Sequence, residues 1–301
     1  MIPADPSSQG GFVDSRQVRR NFARAASRYD AVSVLQREVA SRMLERLDYV
    51  KISPKRVLDV GCGTGGQLVA LGERYRDALV TGADFSEEML RAADGRNSRW
   101  RRVMPFLRGT RSPLVAGDAC QLPFRTAQFG LVWSNLMVHW LDDPRVALRE
   151  MHRMLEVDGL LMFTTFGPDT LKELRASFSD AYAHTQRFTD MHDLGDMLVE
   201  TGFADPVMDV EKITMTYASF DDLCRDLQQN GAGCAMADRR KGLMGKSTRE
   251  LARQNYSRFL LPEQRLPATF EVVFGHAWKP APRVTEDGRA IVRFDSKRRM
   301  R

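Results

Sequence analysis

The chain has 301 residues, of which 43% are hydrophobic and 28% are charged, and its formal net charge is +6. This composition is that of an ordinary globular protein, and no apolar run approaches the roughly 20 residues needed to span a bilayer, so no membrane span is expected. The four cysteines contain no C-x-x-C pair and the histidines lack ligand spacing, so neither a disulfide framework nor a metal site is indicated. Reduced thiols predict a cytoplasmic location.

The amino-terminal part of the chain divides into a polar start and a helical region. Residues 1–15 contain no apolar signal-peptide core and are predicted to be a disordered leader. Residues 16–28 carry five arginines and no acid, a pattern found both in structural helices and in mitochondrial presequences. Because residues 32–47 place apolar side chains on one helical face, we predict a helical lid over residues 16–50.

Five short apolar runs follow, each ending near a turn or a polar residue, and helical patterns separate several of them. The runs are RVLDV (56–60), LVTGAD (79–84), LVAGD (114–118), FGLVWSN (129–135) and GLLMFTT (159–165). Near-continuous apolar strands that alternate with helices predict a parallel sheet covered on both faces. In such a sheet ligands bind at the carboxyl ends of the strands.

The carboxyl-terminal half changes this rhythm, because two extended runs, 207–217 and 268–278, are predicted to pair antiparallel as strands six and seven, the seventh beside the fifth. The predicted helices are 86–93, 144–156, 169–182, 190–201, 220–229 and 247–260. The expected fold is α/β, a doubly wound, Rossmann-like sheet of seven strands with a helical cap over the site. Its parts are a core at 51–217, the cap at 218–265, a closing strand at 266–279 and a basic tail at 280–301.

The stretch VLDVGCGTGGQ (57–67) fits two nucleotide fingerprints. Its first two glycines with Gly66 form the G-x-G-x-x-G of a dinucleotide-binding turn. Gly61, Gly63 and Gly65, preceded by Asp59, also form the G-x-G-x-G of S-adenosylmethionine (SAM) methyltransferases. Asp59 favours the second fingerprint, because a carboxylate there is awkward beside a pyrophosphate but helps to order the amino-acid end of a sulfonium cofactor.

Further candidate cofactor contacts follow the later strands. Asp84 ends the second strand, where an acid accepts hydrogen bonds from ribose hydroxyls, and Asp118 ends the third, near the expected adenine amine. The other candidate cofactor-binding residues are Cys62, Phe85, Met89, Ala119 and Asn135.

The succession LDVGCGTG, GADFSEEML, GDACQLPF and WSNLMVHW resembles the ordered motifs of class I SAM-dependent methyltransferases, which implies SAM as the cofactor. Beyond this core, the chain is similar to the malonyl-acyl-carrier-protein methyltransferases of biotin synthesis. The segments that carry this similarity are FARAASRYDAVSVLQ (22–36), SNLMVHWLDDP (134–144), QRF (186–188), NGAG (230–233) and LPATFEVVFGHAW (266–278). It covers nearly all of residues 16–279 and departs in an Arg-rich segment at 94–112 and in the tail.

This resemblance implies methylation of the free carboxylate of malonyl-acyl carrier protein to its methyl ester. A carboxylate with a pKa near ~4 is ionised at neutral pH, so no general base is required. Arg187 is the leading candidate to hold this carboxylate, because its planar guanidinium matches two oxygens. Tyr29 and His139 are the other candidate catalytic residues. For all three, a purely structural role explains the residue type as well.

Two Arg-rich segments, 16–28 and 94–111, predict a surface for docking the acidic carrier protein, although a solvated basic face explains them equally. No nucleic-acid motif accompanies them, so no nucleic acid is expected as a partner. Three alternatives stay open. One is a SAM-fold complex I assembly factor of the arginine-hydroxylase kind, a sister family with a similar sequence. The others are a methyltransferase for another small carboxylate or quinone-type acceptor, and a non-catalytic SAM-binding protein.

Overall fold

The computed structural model describes the backbone of residues 12–103 and 112–282, with side chains described for residues 12–96 and 112–282. Most of the predicted leader, the end of the Arg-rich segment and nearly all of the basic tail therefore lie outside the described residues. The helices of the described part are α1 Ser15–Ala25, α2 Tyr29–Val32, α3 Val34–Arg46, α4 Gly66–Arg74, α5 Glu87–Val103, α6 Pro144–Met154, α7 Lys172–Arg175, α8 Met191–Glu200, α9 Phe220–Gln229 and α10 Lys246–Ser257.

Seven strands form one sheet, in the order β3-β2-β1-β4-β5-β7-β6. The strands are β1 Arg56–Val60, β2 Leu79–Asp84, β3 Leu114–Ala116, β4 Phe129–Ser134, β5 Leu155–Phe166, β6 Ala204–Tyr217 and β7 Leu266–Trp278. The first five are mutually parallel, whereas β7 runs antiparallel between β5 and β6. The predicted seven-stranded α/β fold is confirmed, including the insertion of β7 beside β5.

The sheet separates two apolar layers, as the near-continuous apolar strands predict. Val57 in β1 packs into the layer formed with α3, α4, α9 and α10, whereas its neighbour Leu58 packs into the layer formed with α6 and α8. Successive side chains of a strand point to opposite faces, so a strand buried on both faces needs apolar residues at consecutive positions. This covering leaves the strand ends as the accessible parts of the sheet.

One predicted helix is wrong. Residues 169–182 form only the single turn α7, because the chain before it donates backbone hydrogen bonds to β7. Leu171 has a left-handed backbone (φ +56°), and its amide donates to the carbonyl oxygen of Thr269 over 2.7 Å. The buried carboxylate of Glu173 accepts the amide of Thr269 over 3.1 Å. In contrast, α5 continues beyond the predicted 86–93 into the Arg-rich segment as far as Val103.

The predicted disordered leader is wrong for its last residues. Val13 forms a β-bridge with Met236, and the Asp14 carboxylate caps α1 by accepting the amide of Gln17 over 3.0 Å. The segment between α9 and α10 also supports α1, since Asn21 donates to the carbonyl oxygen of Gly233 over 3.0 Å. The predicted cap thus braces the amino-terminal helices. In the described ranges, no helix combines the length and apolar character that crossing a bilayer requires.

Candidate active site

The glycine turn after β1 has backbone conformations that favour glycine. Gly61, Gly63 and Gly65 all have positive φ, at +78°, +53° and +73°, a region in which other residues are strained. At Gly66, by contrast, φ is not left-handed and an added Cβ would meet nothing within 4 Å. The turn therefore needs glycine at the three positions of the SAM fingerprint, and not at the third position of the dinucleotide fingerprint.

Asp84, at the carboxyl end of β2, ties this turn to the neighbouring strand. Its Oδ2 accepts the amide of Gly63 over 2.9 Å, and its Oδ1 accepts the amide of Ser86 over 2.8 Å. Burial raises the pKa of this carboxyl, whereas the backbone N–H groups of Ser86 and Gly63 oppose the rise. A carboxylate offers about four acceptor sites, so Asp84 retains capacity for a ligand's hydroxyls.

Asp59 lies in β1, two residues before the glycine turn, and is a buried acid. It is 1% exposed, and its Oδ2 has no hydrogen-bond partner among the described residues. Burial, and secondarily the charge of Asp84, raise the pKa of Asp59 to about 8. Two buried carboxylates so close together favour a positive charge nearby. This environment suits a sulfonium and ammonium cofactor and disfavours a pyrophosphate.

A cleft with an empty volume of about 820 Å³, open solvent included, lies at the carboxyl edge of the sheet. Its floor is the glycine turn with Asp84, and its roof is the amino-terminal lid. Lining residues predicted from the sequence are Tyr29, Gly61, Gly63, Asp84, Phe85, Met89, Asp118, Ala119 and Asn135. Asp59, Cys62 and Gly65 do not line it: Asp59 lies in β1 before the turn, and Cys62, within the turn, is buried at 7% exposure.

The polar groups at the far side of the cleft are held by the protein itself. Asn135 donates to the carbonyl oxygen of Gln36 over 3.0 Å, and its Oδ1 accepts the hydroxyl of Thr164 over 2.7 Å. Asp118 accepts the amide of Cys120 over 2.8 Å. Because their orientations are fixed before a ligand binds, both side chains present defined polar atoms beside the apolar lining.

The structure does not bring the three candidate catalytic residues together. Tyr29 lines the cofactor cleft, whereas His139 and Arg187 line a second cleft of about 640 Å³. The turn 138–141 separates the clefts, and Leu141 lines both. His139 and Trp140 are neighbours in this turn, but His139 faces the second cleft and Trp140 the first.

His139 is buried and in contact with aromatic rings. Burial lowers its pKa to about 3, so it is neutral at physiological pH, and its Nδ1 lies 3.4 Å from Thr165 Oγ1. Arg187, at the rim of the second cleft, pairs with Asp238 over 2.7 Å, and its guanidinium carbon lies 5.2 Å from the ring centre of Phe12. Because 51 positions separate the two residues, their contact was not predictable from local sequence patterns.

Several residues that line or adjoin the clefts were not predicted from the sequence. Phe22 and Trp140, whose ring centres are 5.2 Å apart, line the cofactor cleft together with Met137. Phe22 and Trp140 lie inside recognised motifs, so an aromatic residue within a motif was the available signal. Gln186 is also notable: it is 4% exposed, and neither amide atom has a partner among the described residues.

Solved structures share this architecture. The YcgJ protein of Bacillus subtilis superposes with a TM-score of 0.55 at 15% identity, covering 82% of this chain and all of that one. A SAM-dependent methyltransferase from Thermotoga maritima gives a TM-score of 0.51 at 17% identity, covering 87% and 99% of the two chains. At such low sequence identity, these superpositions show only that the fold is shared.

The sheet, the glycine turn and the carboxylates define a class I SAM-dependent methyltransferase, and the model of the methyltransferase domain matches residues 58–163. The chain is 47% identical to the malonyl-acyl-carrier-protein O-methyltransferase of Gallionella capsiferriformans. The match extends over 287 residues, which are 95% of this chain and 98% of that relative. It is 50% identical over 283 residues to the enzyme of that name from Nitrosospira multiformis, covering 91% and 92%. The chain belongs to the malonyl-acyl-carrier-protein O-methyltransferase family, with SAM as cofactor. The complex I assembly alternative is not favoured.

Proposed function

We propose that this protein methylates the free carboxylate of malonyl-acyl carrier protein, producing the methyl ester that serves biotin synthesis. The observation that carries the proposal is the combination of a SAM-type cleft with relatives of that name that match over nearly the whole chain. A fold alone does not define an acceptor, because related folds serve many acceptors.

The reaction requires that the two reactants be positioned and does not require proton transfer. When bound, SAM would supply an electrophilic methyl group to a carboxylate oxygen of the acceptor, with its sulfur as the leaving group. The acceptor is already ionised at neutral pH. His139 fits this requirement, because it is neutral and bonded to Thr165 in the second cleft and is not needed as a base. The protein must align the two reactants and exclude water.

The residues that would hold the cofactor lie on the turn, the strand ends and the lid. Gly61 and Gly63 allow close backbone approach, and Asp84 would accept the ribose hydroxyls. Tyr29 closes the cleft from the lid. Burial, with the charges of Asp84 and Asp30, raises the pKa of Tyr29 well above its ordinary value, so its hydroxyl stays protonated and available to donate.

Arg187 is the proposed partner of the acceptor carboxylate. The second cleft is lined by both apolar and polar side chains, Asp142 among them, and Arg187 is the one cation among its described lining residues, which suits a short acid on an acyl chain. The Arg187 side chain is 59% exposed, and exposed ion pairs such as that with Asp238 are weak. A substrate carboxylate can therefore take the place of Asp238 at small energetic cost.

The carrier protein is proposed to dock on the basic face of α1. The arginines of α1 are Arg16, Arg19, Arg20 and Arg24, and Arg28 follows the helix; all of them are exposed. Because α1 also contributes Ser15, Val18 and Phe22 to the cofactor cleft, an acidic partner attracted to this face would stand at the site entrance. The four free cysteines support a cytoplasmic location.

Mass spectrometry of the carrier substrate tests the proposed reaction. Incubation of the protein with SAM and malonyl-acyl carrier protein should add the mass of one methylene group to the carrier, and Asp84→Ala should abolish the gain. Rescue of a biotin-auxotrophic strain by the wild type, and not by Asp84→Ala, is the matching result in cells. Unmodified carrier after incubation with protein that binds SAM would contradict the assigned acceptor.

A further inference from the structure

Asp30, in the one-turn helix α2 of the lid, contacts two other elements. Its Oδ1 accepts the hydroxyl of Thr64 over 2.5 Å, and its Oδ2 forms an ion pair with Arg96 in α5. Thr64 lies within the glycine turn, between Gly63 and Gly65, and is 4% exposed. One carboxylate thus joins the lid, the cofactor-binding turn and the helix that follows β2.

The residue before it makes this connection relevant to the cofactor. Tyr29 lines the cofactor cleft, and a Cβ atom built on Gly63 would lie 4.0 Å from Tyr29 Cε1. Gly63 in turn donates its amide to Asp84 over 2.9 Å. Asp30 therefore fixes the lid at the point where the Tyr29 ring covers the turn, and the turn itself is fixed to the cofactor-binding acid.

We propose that Asp30 is a positioning residue for the cofactor, which holds Tyr29 over the glycine turn through its bond to Thr64. Asp30 does not line the cleft among the described residues, so it acts through its neighbours. A short α2 helix of four residues cannot hold its own orientation by internal hydrogen bonds. Without the Thr64 bond, the lid segment loses its attachment to the turn, and SAM should dissociate faster.

The Arg96 contact has a distinct part in this arrangement. Asp30 has a side chain that is 54% exposed, so water competes for its carboxylate, and the guanidinium fixes one oxygen and leaves the other directed at Thr64. Charge-assisted hydrogen bonds are roughly twice as strong as neutral ones. Asp30→Asn keeps an acceptor for the Thr64 hydroxyl and removes the charge, so it is the conservative variant with which rescue can be judged.

The test is a double-mutant cycle on cofactor binding in the full chain. Calorimetry should give the Kd for S-adenosylhomocysteine and for SAM in the wild type, Asp30→Ala, Thr64→Val and the double variant, with the Tm of the ligand-free protein. We expect roughly tenfold weaker binding in each single variant, because each loses the same hydrogen bond to a charged group. The double variant should bind no more weakly than the weaker of the two single variants, since that bond can be lost only once. Asp30→Asn should stay within about threefold of the wild type, because it retains the acceptor.

Glu87→Gln is the matched control, because Glu87 pairs with Arg91 on the same helix over 2.9 Å without touching the turn. It should leave both Kd values unchanged. Unchanged binding in Asp30→Ala and Thr64→Val overturns the proposal, as does a Tm loss without a change in Kd or a double variant whose effects multiply. The test uses cofactor binding alone, so its result is independent of which acceptor is methylated.

Discussion

Gly61 and Met137 approach each other so closely that a Cβ atom on Gly61 would lie 2.6 Å from Met137 Cγ and 2.8 Å from Met137 Cβ. Real Cβ atoms essentially never come so near, and the φ of +78° at Gly61 adds strain for any other residue. This contact joins the turn after β1 to the segment after β4, and both line the cofactor cleft.

Gly61→Ala should therefore displace Met137 into the cleft or distort the turn, and we expect SAM binding at least roughly tenfold weaker, as for the loss of a well-formed ligand contact. Gly66→Ala is the matched control, since an added Cβ there meets nothing within 4 Å. It should bind SAM normally, and its stability should change little or rise. Equal losses in the two variants would contradict the assignment of the fingerprint.

The pKa of Asp59 predicts a pH dependence of cofactor binding. The pKa of about 8 in the free protein should fall when a cationic cofactor binds, because a positive charge favours the ionised carboxylate. Binding then releases a proton below about pH 8, so affinity should rise with pH toward that value, by at most about tenfold per pH unit, and level off above it.

Calorimetry in buffers of different ionisation enthalpy measures this proton release directly. Asp59→Asn serves as the comparison, because the amide cannot titrate, and its pH profile should be flat where that of the wild type rises. A slope that persists unchanged in Asp59→Asn would assign the titration to another group. The same substitution should stabilise the ligand-free protein at pH 8, because an acid with a raised folded-state pKa loses stability as pH rises from its unfolded value to about 8.

Arg187 and Asp238 should affect acceptor binding in opposite directions. Arg187→Gln removes the proposed partner of the substrate carboxylate and should raise KM for malonyl-CoA roughly tenfold, with little effect on the Kd for SAM. Asp238→Asn removes the competing carboxylate and should lower KM about two- to fivefold, the range that an exposed ion pair permits.

Steady-state kinetics at saturating SAM separates these effects. Arg225→Gln is the control, because this exposed arginine on α9 makes a comparable ion pair with Asp222. It should leave KM unchanged. If Asp238→Asn raises KM, its contact with Arg187 supports the site and does not compete with the substrate.

Charge reversal on α1 tests the docking surface. The variant Arg16→Glu, Arg20→Glu, Arg24→Glu should raise KM for malonyl-acyl carrier protein at low salt, because these exposed cations would attract the acidic carrier. The difference from the wild type should shrink as salt screens the charges, and KM for malonyl-CoA should not change. Arg19 is left unchanged, since its guanidinium carbon lies 6.0 Å from the ring centre of the cleft residue Phe85.

Arg56→Glu is the matched control for charge reversal. Arg56 is exposed at the amino end of β1, the edge of the sheet opposite to the clefts. It should leave both KM values unaffected. Equal losses for the carrier and for malonyl-CoA in the α1 variant would show that the substitutions damage the cleft and would contradict a docking role.

The sequence alone determined the cofactor edge of this protein. The glycine turn, Asp84 and Asp118 each lie at the carboxyl end of a strand in a parallel sheet. Right-handed crossovers place the carboxyl ends of such strands at the same edge of the sheet. The order of residues along the chain was therefore enough to predict that these groups meet, without knowledge of any tertiary contact.

The tertiary structure decided the contacts that no strand order dictates. The turn 138–141 faces two clefts and so separates Tyr29 from His139 and Arg187. The Asp30 carboxylate accepts a hydrogen bond from Thr64, which is 34 positions away in the sequence. Residues 169–182 form only one helical turn, because the chain there is hydrogen-bonded to β7. Each depends on side chains that compete for partners from distant segments. Such a competition is settled by packing, which local sequence periodicity does not encode.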